Sequence, residues 1–525
     1  MPTDSAARLL ASLSAFPQKE AIRFGSRTLT FGDLDRLSRR YAAGLSAIGV
    51  RRGDRVAVYA EGSPELVVAL LGHYRLGAVH VPINTHYRAE EAEHILRDSG
   101  AGALLFTPGP EAEQVLAEIG PLPGLKELVA VGGPSSVPGA RPFEELLAGV
   151  AGVAGAPLPS GAPLLADGDA ALLIYTSGTT GKSKGVELSF GALVANIEEM
   201  TRAWGFTAAD RLALALPLFH VHGLCLGVHG ALLHGFTLLL SEKFQAARIV
   251  REFEENGATA FMGVPTMYVR LLEHLDTHPA AAEALRRARL FTSGSAPLPA
   301  DDFRAFEKRT GHAILERYGM SETLFTLSNP YSGERRPGTV GLPVPGYEVK
   351  VVDDAGQEGT PGELGEIVVR GNGMMTGYWG QPEETARSFR DGWFLTGDVA
   401  RSDADGYVTI VGRKSVDIIK SGGFKISARE IEDVLRRHPR VREVAVVGAE
   451  DRVWGQRIVA AVVLVPGAES APDAVREELD GFARAHLADF KRPREVLLLP
   501  ELPRNALGKV QKHLILKGLP GPQTP

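Results

Sequence analysis

The sequence predicts an α/β protein: a large N-terminal domain of βαβ-built sheets that ends in a small β-rich subdomain, followed by a small α+β C-terminal domain. Three observations carry this. The chain has 525 residues, more than one hydrophobic core serves. Apolar runs of strand length alternate with stretches of helical period, the pattern of βαβ units and a mainly parallel sheet. After Arg413 the pattern restarts, which divides the chain into residues 1–413 and 414–525.

The elements follow in order. Val56-Ala57-Val58-Tyr59 reads as a strand and is followed by the helix-like PELVVALLGHYRLG; Ala103 to Phe106 is followed in the same way by EAEQVLAEIG. Residues 121–165 are rich in Pro, Gly, Ala and Ser and read as a surface excursion. Ala171 to Tyr175 is a further apolar strand. From about residue 335 the texture changes to short strands with Gly and Pro turns, as in YEVKVVDDAG, GELGEIVVRG and GWFLTGDVARSDADGYVTIVGR, a small twisted β-rich subdomain. Beyond Arg413, KSVDIIKSGGFKISAREIEDVLRRHPRVREVAVVGAED runs strand, glycine turn, helix, strand, with Ser427 as N-cap and Glu430 at the capping-box position. AAVVLVPG, VREELDGFARAHL and REVLLLPELP complete the α+β unit.

Composition narrows the class. A net charge of -6 and a pI near 6.2 provide no basic field, so nucleic acid is not an expected partner. One cysteine, Cys225, leaves no disulfide framework and no cysteine-cluster metal site. The start, MPTDSAARLLASLSAF, has no basic region ahead of an apolar core, and no apolar run reaches membrane-spanning length, Ala231 to Leu240 being interrupted by His234. The expected location is a reducing, cytoplasmic compartment.

Residues 175–185, YTSGTTGKSKG, carry the first chemical signal. Gly181-Lys182-Ser183 matches the end of a Walker phosphate loop, but the glycine that loop needs five residues earlier is Thr176. The stretch still follows a buried-type strand. Glycines 178, 181 and 185 free backbone N–H groups to face an anion, Ser177, Thr179 and Thr180 add hydroxyls, and Lys182 and Lys184 add charge. It reads as a polyphosphate loop of non-Walker type.

This run is followed by PLFHVHG (217–223), GVPTMY (263–268), SGSAPL (293–298), ERYGMSET (316–323), WFLTGD (393–398), GRKSVDIIKSGGFKIS (412–427) and PRNALGKVQK (503–512). In this order, spanning nearly the whole chain, the motifs resemble those of the acyl-adenylate-forming (AMP-binding) enzymes: acyl-CoA synthetases, luciferases and peptide-synthetase adenylation domains. The resemblance implies a mobile C-terminal domain and two half-reactions. A carboxylate attacks the α-phosphate of ATP to give an acyl-adenylate and pyrophosphate; the thiol of coenzyme A then displaces AMP.

It also implies roles. Lys509 corresponds to the catalytic lysine that contacts the attacking carboxylate and the α-phosphate. Glu322 resembles the Mg²⁺-bridging carboxylate, with Thr179 and Ser321 helping the phosphates; a cation that keeps its waters needs few protein ligands. Thr176, Ser177, Gly178, Thr180, Gly181 and Lys184 would cradle phosphates, and Ser295, Ala296 and Glu316 would line the nucleotide. Tyr318 and Gly319 would wall the adenine. Asp398 would accept from the ribose hydroxyls and Arg413 would reinforce it. Lys414 matches the hinge, and Ser421, Gly422, Gly423 and Phe424 would line the thiol tunnel. His220 would gate the acyl or thiol entrance; for His222 core packing is an equal reading. Ser183 and Phe190 depart from the residues usual in relatives, proline and histidine.

The acyl pocket sets the acid. Many fatty and aromatic acyl-CoA synthetases have a small residue before the Tyr-Gly pair; here it is Arg317. A buried guanidinium there is costly unless an anion meets it, and the fitting anion is a second carboxylate on a short substrate. Arg270, Ser295 and Met320 would complete the pocket, a set that resembles malonyl-CoA synthetases and implies malonate, with tolerance for methylmalonate. The bland alternative has Arg317 paired with Glu316 or another acid and merely supporting the loop. Rival readings are a short- or medium-chain monocarboxylate–CoA ligase, a stand-alone adenylation enzyme serving a carrier protein, and a nucleotide-binding pseudoenzyme.

Overall fold

The computed structural model describes residues 5–148, 165–176, 182–414, 417–421, 424–451, 453–467, 472–504 and 510–519. By packing it forms two compact units, residues 1–348 with 369–393, and residues 349–368 with 394–525. The division therefore draws much of the β-rich subdomain into the second unit, whereas the sequence places its break at 413/414.

The first unit holds two large sheets. One of nine described strands runs, edge to edge, Leu342–Pro343, Leu324–Ser328, Leu315–Met320, Leu290–Ser293, Ala260–Gly263, Arg211–Leu214, Thr237–Leu240, Glu20–Phe24 and Arg27–Thr30. Its centre is parallel and its edges antiparallel. The central strands are apolar along their length because helices cover them: Phe261, Phe291, Tyr268 and Phe306 are fully buried between Ala260–Gly263, Leu290–Ser293 and the helices Pro265–Thr277 and Ala300–Thr310. The other sheet, of eight described strands, runs Gly377–Tyr378, Lys184–Ser189, Ala170–Thr176, Val79–Pro82, Arg55–Tyr59, Ala103–Phe106, Glu127–Ala130 and Arg141–Pro142. The strand–helix pairs expected at 56–76 and 103–119 form as Arg55–Tyr59 with Pro64–Leu76 and Ala103–Phe106 with Pro110–Ile119.

The excursion expected at 121–165 is a correction. Glu127–Ala130 joins the sheet parallel to Ala103–Phe106, and Phe143–Ala148 is a helix that buries Phe143 and Leu146. Turn residues mark the ends of these elements, but Leu128-Val129-Ala130 is apolar and pairs as such; residues 149–164 lie outside the description. A second feature absent from the sequence reading is the buried π-helix His222–His229. A Cβ at Gly223 would lie 2.5 Å from the carbonyl oxygen of Pro217, so only glycine admits this entry into the helix.

Most of the residues of Tyr347–Val352, Gly365–Gly371, Trp393–Ser402 and Val408–Arg413, four strands of a small sheet, fall in the second unit, and the last two pair antiparallel. The rest is α+β, as expected: Phe424–Ser427, Ile418–Ser421, Gly455–Leu464 and Val441–Asp451 form a sheet, Glu495–Leu498 adds in parallel, and helices Ala428–Leu435 and Pro472–His486 bury Ile431, Leu435, Val475 and Leu479 against it. The Ser427 hydroxyl accepts from the Glu430 backbone at 3.2 Å, the first half of the expected capping box.

Candidate active site

The strands on either side of the glycine run pair with each other in antiparallel register. Thr176 pairs with Lys184 and Tyr175 with Gly185 where the strands Ala170–Thr176 and Lys184–Ser189 meet. Ser177, Gly178, Thr179, Thr180 and Gly181 lie outside the described residues, but both arms that present them are fixed, and Ser183 is held through its carbonyl 2.8 Å from His94 Nε2. Lys184 forms an ion pair with Glu384 and lies 5.2 Å from the ring of Tyr378; this contact pulls the Glu384 carboxyl below its usual range. The Tyr378 hydroxyl donates to Glu322 Oε1 at 3.1 Å. Lys184 and Glu322, 138 positions apart by number, are thus joined through Tyr378 and Glu384, which the sequence reading missed. Only pairing of Tyr378 with Val186 across the sheet brings them in, and no local pattern signals that.

Glu316, Arg317, Tyr318, Gly319 and Met320 share the strand Leu315–Met320, which turns through Ser321, Glu322 and Thr323 into Leu324–Ser328. A Cβ on Gly319 would meet the Leu324 carbonyl oxygen at 1.9 Å, so the turn itself requires glycine at this position. Glu316 Oε1 accepts from the Leu298 backbone at 3.0 Å and ties the SGSAPL loop to this strand. Ser295 in that loop has φ +68°, a left-handed conformation that a non-glycine residue adopts only under constraint, and Ser295 and Ala296 are exposed. Tyr318, Gly319 and Met320 are half-buried. Ser321 and Glu322 are buried.

Arg317 is 3% exposed. Its guanidinium lies 4.7 Å from the Phe325 ring centroid and close against Gly294. Nε and Nη2 have no hydrogen-bond partner among the described residues, so the alternative pairing with Glu316 is not formed. Burial pushes its pKa down to about 9, which leaves it charged at neutral pH. The burial of the imidazoles and the charge of Arg317 together hold His220 down to about 4 and His222 well below its ordinary value. Both rings are neutral at pH 7. The His222 backbone N–H approaches His220 Nδ1 at 3.4 Å, its own Nδ1 lies 3.4 Å from Ser295 Oγ, and its Nε2 is buried without a partner among the described residues. Arg270, on the helix Pro265–Thr277, is exposed and forms no ion pair among the described residues, so the structure does not draw it onto Arg317.

In the second unit Asp398 and Arg413 are cross-strand neighbours, joined Nε to Oδ1 at 2.9 Å, and Arg413 Nη1 also donates to the Thr396 carbonyl at 2.6 Å. Lys414 bridges Glu366 and Asp354 at 3.0 Å each and its backbone donates to the Gly397 carbonyl. Ser421 is buried and pairs with Phe424 across the turn that Gly422 and Gly423 would make; those glycines, and Lys509, lie outside the described residues. Among the described residues no group of three or more His, Cys, Asp and Glu could hold a metal by itself, and no helix is long and apolar enough to cross a membrane.

Comparison with known proteins agrees with this arrangement. Residues 9–379 match the AMP-binding enzyme family and residues 430–509 its C-terminal domain. A malonate–CoA ligase of Arabidopsis thaliana is 37% identical over 500 residues, covering 90% of this chain and 79% of that protein. A long-chain-fatty-acid–CoA ligase of Bacillus subtilis is 34% identical over 547 residues, covering 98% and 93%. The ATP-bound crystal structure of MatB from Rhodopseudomonas palustris superposes with a TM-score of 0.87 at 35% identity, covering 98% of this chain and 99% of that one. The chain belongs to the AMP-binding enzyme family, in its acyl-CoA ligase branch.

Proposed function

We propose that the protein is a malonate–CoA ligase working through an acyl-adenylate. The observation that carries the reading is the buried Arg317 guanidinium with its Nε and Nη2 unengaged. Those two N–H groups form the edge that a carboxylate meets bidentately. Malonate carries two carboxylates, one for that edge and one to react. A monocarboxylate with an apolar tail would leave the charge desolvated and unpaired, which costs several kcal/mol on the order seen for broken buried pairs.

In this reading a carboxylate oxygen attacks the α-phosphorus of ATP, the bond to the pyrophosphate oxygen breaks, and the acyl-adenylate forms. The coenzyme A sulfur then attacks the acyl carbon, AMP leaves, and the thiol proton passes to solvent. Catalysis is mainly positioning and charge stabilisation. Lys509 would meet the attacking carboxylate and α-phosphate, while Thr176, Ser177, Gly178, Thr180, Gly181 and Lys184 would hold the phosphates. Tyr318, Gly319, Ala296 and Ser321 bound the nucleotide, Asp398 and Arg413 the ribose, and His220 the acyl entrance. Glu322 is a buried oxygen donor braced by Tyr378, of the kind Mg²⁺ takes. Glu322 and Thr179 would hold that ion, which when bound supplies neutralising charge for the phosphates. Lys414 would serve as hinge, with Ser421 to Phe424 on the coenzyme A side. Coenzyme A is favoured over a carrier protein because the named relatives are CoA ligases. A cytoplasmic location belongs to the proposal as well.

The test is catalytic efficiency with malonate, methylmalonate, butyrate and octanoate, read by pyrophosphate release and thioester mass, for wild type and Arg317→Gly. Malonate should be preferred at least about a hundredfold and the preference should collapse in the variant. A wild type that prefers octanoate, or a variant that keeps its malonate preference, overturns the reading.

A further inference from the structure

Two buried polar side chains flank the Gly294–Ser295 turn with groups left unengaged. On one side Arg317 packs against Gly294, with Nε and Nη2 unpartnered. On the other, His222 is 1% exposed, sits 3.4 Å from Ser295 Oγ through Nδ1, and has no partner at Nε2 among the described residues. A buried polar atom without a partner is uncommon in a folded protein and calls for an explanation. The two unengaged groups also sense each other, since the charge of Arg317 acts on the His222 ring. A core-packing histidine would satisfy its ring nitrogens within the protein, as His229 does: its Nε2 lies 2.7 Å from the Tyr74 hydroxyl and its Nδ1 2.9 Å from the Leu224 carbonyl. His222 begins the same π-helix but lacks the second contact.

Building on the malonate reading, we infer that His222 is a second arm of the subsite for the non-reacting carboxylate, giving a neutral Nε2–H hydrogen bond to the anion that Arg317 binds. A neutral imidazole has one donor and one acceptor nitrogen, and the hydrogen bond at one nitrogen sets the role of the other. A hydroxyl serves as either donor or acceptor. With the Ser295 hydroxyl donating to Nδ1, the ring proton rests on Nε2 and points a donor at the anion. The left-handed backbone of Ser295 is what aims that hydroxyl, and it gives the strained residue a purpose. Ser295 is therefore a positioning residue acting through His222. The arrangement adds a directed donor without adding charge. A monocarboxylate offers no anion here and would leave Nε2–H unsatisfied, so His222 works as a specificity residue and not only as an affinity residue.

Steady-state kinetics on full-length protein separates the roles. His222→Leu removes the donor, His222→Gln keeps a neutral N–H of similar reach, and Arg317→Gly serves as the reference for the underlying reading. A hydrogen bond to a charged group is expected to be worth about tenfold or more. His222→Leu should raise KM for malonate about tenfold while kcat and KM for ATP change less than about threefold, and His222→Gln should recover most of that loss. Ser295→Ala should fall between wild type and His222→Leu. If both His222 variants keep the wild-type malonate KM, the inference fails while the Arg317 reading stands. If both lose malonate and ATP binding in parallel with a drop in Tm, His222 is a packing residue and the inference fails likewise. If wild type shows no preference for malonate over butyrate, the malonate reading itself fails, a result distinguishable from either of these.

Discussion

Gly294→Ala is a one-methyl test of whether the position of Arg317 sets the substrate. An ideal Cβ at Gly294 would lie 2.5 Å from Cζ, 2.6 Å from Nε and 2.9 Å from Nη1 of Arg317. Ordinary contacts begin near 3.5 Å, so the guanidinium must retreat by about 1 Å. Gly294 does not have a positive φ, so alanine carries no backbone penalty and the effect is one of space. The retreat lifts the charge from its seat over Phe325 and misaligns the edge that would take a carboxylate. Losing one charge-assisted hydrogen bond removes about 1.5–3 kcal/mol, or about ten- to a hundredfold in efficiency. Overpacking should lower stability by about 1–3 kcal/mol. The assay is kcat/KM for malonate and butyrate, with Tm alongside, for Gly294→Ala, Arg317→Gly and the double variant. The malonate-to-butyrate ratio should fall at least about tenfold, and the double variant should be no worse than Arg317→Gly alone, since both changes act on one group. A ratio within about threefold of wild type, or strict additivity, would refute the claim that the seat of Arg317 sets specificity.

Three further outcomes are expected. Lys509→Ala should abolish adenylate formation yet leave thiolysis of a supplied acyl-adenylate largely intact; equal loss in both half-reactions, measured separately, would sink the reading that Lys509 serves only the first of them. Tyr378→Phe removes the hydroxyl that braces Glu322 and should raise the Mg²⁺ concentration for half-maximal adenylation about tenfold, as outer-shell changes do, which a Mg²⁺ titration would check. Burial holds His73 near pKa 3 and His229 near 4, below the unfolded value of 6.5, so the unfolded chain binds the extra protons. Stability from these two is full above pH 6.5 and falls towards pH 4 by up to about 1.4 kcal/mol per pH unit each, and a Tm that stays flat from pH 7 to 5 would contradict it.

Fold and site were legible to different depths. Strands such as Arg55–Tyr59 and helices such as Pro64–Leu76 announce themselves because period and boundary residues are local. Glu127–Ala130 was hidden because four residues between Pro and Gly clusters resemble loop until a neighbouring strand pairs with them. The π-helix at His222–His229 was hidden because its spacing departs from the 3.6-residue period, and its cause, the close approach of Gly223 to Pro217, is tertiary. At the site, Arg317 stood out because a charge occupied a position where many fatty and aromatic acyl-CoA synthetases have a small residue. Its surroundings did not: Gly294 lies in the SGSAPL motif, but that it and Phe325 pack on Arg317 is a tertiary fact no local pattern signals. Tyr378 and Glu384 reach Glu322 and Lys184 from a distant segment, so only the sheet register reveals them.

The charge balance around Arg317 is the physical basis of the proposed malonate selectivity. Burial lowers the Arg317 pKa only to about 9, so the guanidinium still enters the reaction as a cation. The Phe325 ring offsets part of its desolvation through its π face but cannot replace the hydrogen bonds water would have made. The neighbouring imidazoles go the other way: burial and the Arg317 charge strip their protons, so His220 and His222 add dipoles and no charge. At neutral pH Arg317, His220 and His222 therefore carry one positive charge together, which one carboxylate balances. A second cation would favour a dianion or phosphate; none would favour an apolar tail. An acid with one spare carboxylate on a short chain fills that balance, and a fatty acid leaves it open. Under the malonate proposal, discrimination would arise mainly from the penalty imposed on the wrong tail, so removing the charge should broaden the enzyme rather than silence it.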